Sequence, residues 1–229
     1  MTWGDGPLTI ALIHGYSDDA ATWWKVGPAL AARGCTVIAP DLRGHGLSPR
    51  GDRYSLEDFA DDLVETLPEG LDVLVGHSLG GLVVGYAVDR LRPGHAVYVD
   101  PPWGPRPQPA PGRDPAAETM SSVAARKPRW DRHDVRVDVI SSRMLDRGVT
   151  EWLLTQRHIV HPPPCPVVPA TVVVPSEESL LSDATQASLA GLGFELVGLP
   201  GAGHVVHRDN LDDFVALLEA RIVVNRTAP

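Results

Sequence analysis

Short apolar runs alternate along this chain with longer stretches of helical spacing. Leu8–Ile13 is a continuous apolar run of buried-strand type that stops at His14-Gly15-Tyr16-Ser17. Ala20–Ala32 is alanine-rich with apolar spacing and closes at Gly34, which predicts a helix. A second strand is predicted over Cys35–Ala39, followed by a glycine-rich loop through Ser48. Ser55 is placed as the N-cap of a helix to Leu67, with Asp58 at the capping-box position. Leu71, Val73, Leu74 and Val75 give a strand, and an apolar helical run follows Gly80. His95–Val99 is another strand, ended by Asp100-Pro101-Pro102-Trp103. Thr171–Val174 and Phe194–Leu199 are strands, and Ser179–Gly191 and Asp209–Arg221 are helices. Strands alternating with helices predict an α/β fold of three α/β/α layers around a mostly parallel sheet. Such sheets collect their chemistry at the carboxyl ends of the strands. His14, Asp41, Ser78, Asp100, Glu178 and His204 all fall there.

The pattern breaks between residues 101 and 169. Proline is dense there, and only two broken helical stretches are expected, near Ala116–Ala125 and near Asp138–Gln156 with an interruption around Gly148. This segment is too long for a plain loop and too poor in core residues for a domain of its own. The expected organisation is a core of residues 1–100 and 170–229 with a cap or lid, 101–169, inserted between two strands. Trp103, Met120, Trp130, Met144, Leu145 and Trp152 lie in or beside it. Packing onto the core explains any one of them, while Trp103, Met144 and Trp152 are also placed, with His14, as walls of an apolar pocket over Ser78.

Composition narrows the class of partner. The 229 residues carry a formal charge of −9, and no Lys/Arg run forms a phosphate footprint, which argues against nucleic acid. No run reaches membrane-spanning length, and the first residues lack the basic and apolar regions of a signal peptide. The two cysteines, Cys35 and Cys165, make neither a disulfide framework nor a metal set, so a reduced cytoplasmic location is expected. The histidines show no metal-ligand spacing. The glycine-rich loops at 43–48 and 201–204 fail the dinucleotide fingerprint, so no cofactor is expected.

The candidate chemistry centres on Gly76-His77-Ser78-Leu79-Gly80, a G-x-S-x-G pattern between a strand and a helix. So tight a turn leaves no room for side chains two residues either side of the serine, and it lifts Ser78 above the sheet near a helix amino end. A serine hydroxyl is a poor nucleophile at neutral pH and needs an imidazole to take its proton. The imidazole in turn needs a carboxylate to fix its tautomer.

HGYS at 14–17, DLRGHGLS at 41–48, GHSLGG at 76–81 and PGAGH at 200–204 occur in the order seen in the α/β-hydrolase family, which the chain resembles over nearly its whole length. The resemblance implies Ser78 as nucleophile, His204 as general base with His207 as a lesser alternative, and the backbone N–H groups of Tyr16 and Leu79 as an oxyanion hole. It implies that His14 shapes the oxyanion loop and carries no proton, and that His77 packs beneath the elbow. For the acid, the resemblance points after the strand at 171–174, where Glu178 is favoured; Asp100, after the preceding strand, is the alternative. Only seven residues precede Leu8, so a sheet lacking the family's N-terminal hairpin is expected. The implied activity is that of a serine hydrolase, most simply a carboxylesterase or lactonase, forming an acyl-enzyme with a small-molecule acyl substrate. A ligand receptor that turns over little, a C–C hydrolase and an acyltransferase would use the same residues. Oligomeric state is left open by the sequence.

Overall fold

The computed structural model of the chain describes residues 1–104, 114–155 and 160–227. Seven strands form one sheet: β1 (Thr2–Trp3), β2 (Leu8–Ile13), β3 (Cys35–Ile38), β4 (Val73–His77), β5 (His95–Val99), β6 (Ala170–Pro175) and β7 (Glu195–Leu199). Their order across the sheet is β1-β3-β2-β4-β5-β6-β7. Every pairing is parallel except β1 with β3. The expected shortening at the first edge takes the form of this two-residue antiparallel strand, tied down where the Met1 ammonium donates to Ala39 O at 2.6 Å.

Helices α2 (Leu56–Thr66), α3 (Leu79–Leu91) and α7 (Asp183–Gly191) cover one face. Phe59, Leu63, Leu82, Val83 and Leu189 pack there on Ala11, Ile13, Leu74, Ala96 and Val172 of the strands. Helices α1 (Val26–Ala31) and α9 (Leu211–Thr227) cover the other, with Trp23, Leu30, Phe214 and Leu218 on Ile10, Leu12, Val73 and Val97. Strand residues alternate between these two clusters because successive side chains point to opposite faces.

Several elements differ from the sequence pattern for local reasons. The helix expected over Ala20–Ala32 splits into a 3-10 turn, Ala20–Trp23, and α1. Pro28 has no N–H to donate and is tolerated only in a first turn, so the helix restarts at Val26. Helix α2 matches its expectation, with Ser55 Oγ accepting from the Asp58 N–H at 3.0 Å. The helix expected from Ser179 begins at Asp183, capped by Ser182, because Ser179 and Leu180 bond elsewhere, as described below. Before α9 stands a one-turn helix, α8 (Val206–Asp209).

Between β5 and β6 the described residues form a 3-10 turn (Pro115–Ala117) and helices α4 (Met120–Arg126), α5 (Arg132–Met144) and α6 (Arg147–Thr155). The second expected stretch therefore starts earlier, where the Asp131 carboxylate accepts from the His133 and Asp134 N–H groups. It breaks at Leu145-Asp146, ahead of Gly148, and Gln156 lies outside the described residues. No helix among the described residues is long and apolar enough to cross a membrane.

The β4–α3 turn depends on two glycines. A Cβ on Gly76 would lie 2.4 Å from Gly80 O, and one on Gly80 would lie 2.5 Å from Ile13 O. Both obstacles are backbone and cannot swing aside. Gly80→Ala is expected to cost about 3 kcal/mol or more, lowering the melting temperature by about 6–12 °C. Gly191→Ala, where a Cβ meets nothing within 4 Å, should stay within about 1 kcal/mol of the parent. Equal melting temperatures for the two variants would refute this account of the turn.

Candidate active site

The turn after β4 puts Ser78 at φ 52° and ψ −115°, outside the favoured regions for an L-residue. Its N–H donates to Val99 O at 2.9 Å, which holds the turn against β5. Ser78 is half-buried, and Leu79 opens α3, so its N–H is among the helix's first, which have no partner within the helix. The loop after β2 packs against the serine: a Cβ on Gly15 would meet Ser78 Cβ at 3.3 Å and His77 Nδ1 at 3.0 Å.

That loop is fixed by two buried histidines. His14 accepts from the Leu42 N–H at Nε2 (2.9 Å), and its Nδ1 donates to Gly15 O (2.8 Å). Both ring nitrogens are engaged and the residue is fully buried, which lowers its pKa. Of the two roles expected of it, His14 therefore does not wall a pocket, while its bonds to Gly15 and Leu42 hold the loop. His45 lies with Nε2 2.8 Å from Tyr16 O and Nδ1 2.9 Å from Arg43 O. The Tyr16 hydroxyl donates to Thr150 Oγ1 of α6 at 2.8 Å. Sequence reading missed His45, although it sits inside the DLRGHGLS stretch.

The imidazole of His204, in the loop after β7, lies beside the elbow, its ring centroid 4.8 Å from that of His77. The His77 Nε2–H donates to His204 O at 2.9 Å. Gly203 N–H donates to Asp209 Oδ2 at 2.9 Å, so the backbone on both sides of the imidazole is held. His204 Nδ1 donates to Asp100 Oδ2 at 2.6 Å, which leaves Nε2 as the acceptor nitrogen.

The carboxylate on the imidazole is thus Asp100 and not Glu178. Asp100 is fully buried at φ 42°, and its Oδ1 accepts from the Ser179 hydroxyl (2.8 Å) and the Leu180 N–H (3.0 Å). Glu178 also has a positive φ, 54°, but its side chain is 73% exposed and pairs with Lys127 Nζ at 3.3 Å. His207 is no alternative base: it is buried on the Trp23 ring and shares a hydrogen bond with Thr22 Oγ1 at 2.8 Å.

The remaining pocket residues divide. Trp103 is buried against the rings of Tyr98 (4.8 Å) and Phe194 (5.8 Å), on the α3 face of the sheet, so it is a core residue and not a wall over Ser78. Met144 and Trp152 are half-buried on α5 and α6, and Trp152 meets Phe59 edge-on at 5.4 Å. Among the described residues no group of three or more His, Cys, Asp or Glu side chains is arranged to hold a metal ion.

Two measurements follow from this geometry. Asp100→Asn keeps the shape but not the charge, and hydrolytic turnover is expected to fall by about 10³–10⁴-fold. Glu178→Gln should stay within about threefold of the parent; the reverse ranking would return the acid to Glu178. Burial also pushes His45 and His95 from 6.5 to about 4 and His77 from 6.5 to about 3. The unfolded chain binds more protons than the folded one across that window, so stability is present above pH 6.5 and drains as pH falls through it. The melting temperature should decline steadily from pH 7 toward pH 4, and a flat profile over that range would contradict the neutral buried rings.

The model of the "Alpha/beta hydrolase family" matches residues 10–217. A 2-(acetamidomethylene)succinate hydrolase of Mesorhizobium japonicum is 43% identical over 81 residues, covering 34% of this chain and 28% of that protein. Methylesterase 9 of Arabidopsis thaliana is 44% identical over 84 residues, covering 34% of this chain and 33% of that protein. The matches thus span about a quarter to a third of the length of these curated relatives. An N-formylmaleamic acid deformylase from Pseudomonas putida superposes with a TM-score of 0.78 at 25% identity, over 95% of this chain and 93% of that one. The match of the family model across nearly the whole chain places this protein in the alpha/beta hydrolase family.

Proposed function

We propose that this hydrolase cleaves an ester, lactone or related acyl bond of a small molecule through an acyl-enzyme on Ser78. The observation that carries the reading is the 2.6 Å hydrogen bond from His204 to the buried Asp100, beside a serine held at positive φ. With its Nδ1 proton committed to Asp100, His204 offers Nε2 to take the Ser78 proton as Oγ adds to the substrate carbonyl. Asp100 stabilises the imidazolium so formed. The oxyanion is received by the N–H groups of Leu79 and Tyr16, and each such donor is worth about 3–4 kcal/mol in the transition state. The imidazolium then protonates the leaving group, and a water activated by His204 releases the acyl chain. Helices α4 to α6 serve as a cap, with Met144 and Trp152 facing the acyl group. Support for an acyl bond comes from the neighbours, which include an N-acyl homoserine lactone degrading enzyme (TM-score 0.74, 21% identity), a methylesterase and a deformylase.

The test is a graded series of p-nitrophenyl esters, thioesters and lactones with a fluorophosphonate probe. Sustained turnover and one-to-one labelling are expected, with Ser78→Ala losing both by about 10⁴-fold or more. Undiminished turnover in Ser78→Ala would refute the acyl-enzyme. One slow turnover followed by tight retention of the ligand would instead mark a receptor built on the same fold.

A further inference from the structure

Three segments of the chain meet at one buried cation. Arg208 follows His204 by four residues, and 1% of its side chain is exposed. Its Nη2 donates to Asp18 Oδ1 and to Thr22 Oγ1, both at 2.8 Å, and its Nη1 donates to Asp138 Oδ1 at 3.2 Å. The guanidinium carbon stands 4.6 Å from the centre of the Trp130 ring. Asp18 lies in the loop that carries Tyr16, while Trp130 lies between α4 and α5 and Asp138 lies in α5.

A charge this deep is costly unless paired, and an apolar side chain would hold a packing seam as well or better. Hydrogen-bonded ion pairs contribute direction and register where an apolar contact would allow sliding. Helix α5 carries the same signature, since Asp134, Asp138, Ser141 and Ser142 are all among its buried residues. Asp134 accepts from Lys25 and Trp24, and the Ser142 hydroxyl donates to Ser17 O at 3.4 Å. The two sides of the joint are held by different nitrogens of a single rigid fork, Asp138 by Nη1 and Asp18 by Nη2.

We propose that Arg208 is a positioning residue that couples the seating of α5 to the geometry of the His204 and Tyr16 loops. The proposal rests on the hydrolytic reading above. When α5 is seated, Asp138 fixes the plane of the guanidinium, and the guanidinium fixes Asp18 and the chain that leads back to His204. Burial pushes the Asp18 carboxyl up, and the Arg208 guanidinium together with the neighbouring imidazoles of His77, His14 and His204 outweighs it, leaving it below its ordinary value. Arg208 therefore also offsets a carboxylate whose field reaches His77, His14 and His204.

Asp138→Asn and Asp18→Asn, singly and together, test the coupling. Each single variant is expected to lower kcat for p-nitrophenyl butyrate about tenfold, although neither residue touches the reacting groups. Because both act through one guanidinium, the double variant should lose no more than about threefold beyond either single. Losses that multiply to about a hundredfold, or variants that melt earlier with kcat within about twofold, would overturn the proposal. Hydrogen exchange gives a readout independent of turnover. Asp138→Asn should speed exchange at residues 14–20 and 200–208 as well as in α5, and an effect confined to α5 would refute the coupling. Should the asparagine variants fail to fold, Arg208→Lys serves, since a point charge cannot hold both sides of the fork. It is expected to lower kcat and loosen both loops, and parent-like values would overturn the proposal. A wild-type protein without turnover would sink the hydrolytic reading alone, leaving the exchange result to decide the coupling.

Discussion

The ladder of the central sheet continues one residue past its strands: the Ser78 N–H donates to Val99 O at 2.9 Å, and the Asp100 N–H to Val173 O at 3.0 Å. His77 pairs with Val99 and Val99 with Val173, so Ser78 and Asp100 stand at the same height on adjacent strands. Parallel strands lie about 4.8 Å apart, close enough for one imidazole to serve both positions. Each chain then turns through a positive φ, 52° at Ser78 and 42° at Asp100. Such backbone costs on the order of 1–3 kcal/mol per residue and persists only where the surroundings over-determine it. Here the parallel ladder on one side and Gly76 and Gly80 on the other do so. His204 arrives from β7, beyond β6, and reaches back to Asp100 because its loop is held by Asp209 and by His77.

The loop after β6 shows why Asp100 and not Glu178 meets the imidazole. β6 stands between β5 and β7, so an imidazole arriving from β7 passes the ends of both strands. Ser179 and Leu180 turn their donors onto Asp100, which commits the start of that loop to supporting the β5 carboxylate. Glu178 is left pointing at solvent with Lys127.

These facts set the boundary of what was legible in the chain. The strands were readable because a run such as Leu8–Ile13 has one meaning in an α/β pattern, and the elbow because the glycines beside Ser78 have a steric cause. The choice between Asp100 and Glu178 was not, since both follow strands and only the contacts of the Ser179-Leu180 loop with Asp100 separate them. The extent of α5 was hidden for another reason. Its buried residues include Asp134, Asp138, Ser141 and Ser142 beside Val135, Val137 and Val139, and a search for apolar spacing reads the four polar ones as solvent-facing. Trp103 misled in the opposite sense, because a large apolar residue beside a site is indistinguishable in sequence from one beneath it.

The molecule thus joins its parts by two kinds of contact. The helices of the core meet the sheet through aliphatic and aromatic side chains, whose attraction is non-directional and tolerates small shifts. The loops around Ser78 are held by imidazoles and charges instead: His14 to Leu42, His45 to Tyr16, Arg208 to Asp18 and Asp138. Directional bonds lose their worth within a fraction of an ångström, which suits groups that must face a reacting atom at a set distance. Each of the four imidazoles His14, His45, His77 and His207 has its pKa lowered by burial. Because these rings stay neutral, they hold backbone and side-chain partners without adding charge beside His204. The polar interior of the site is in this sense a scaffold, built from residues that in an exposed loop would be counted as chemistry.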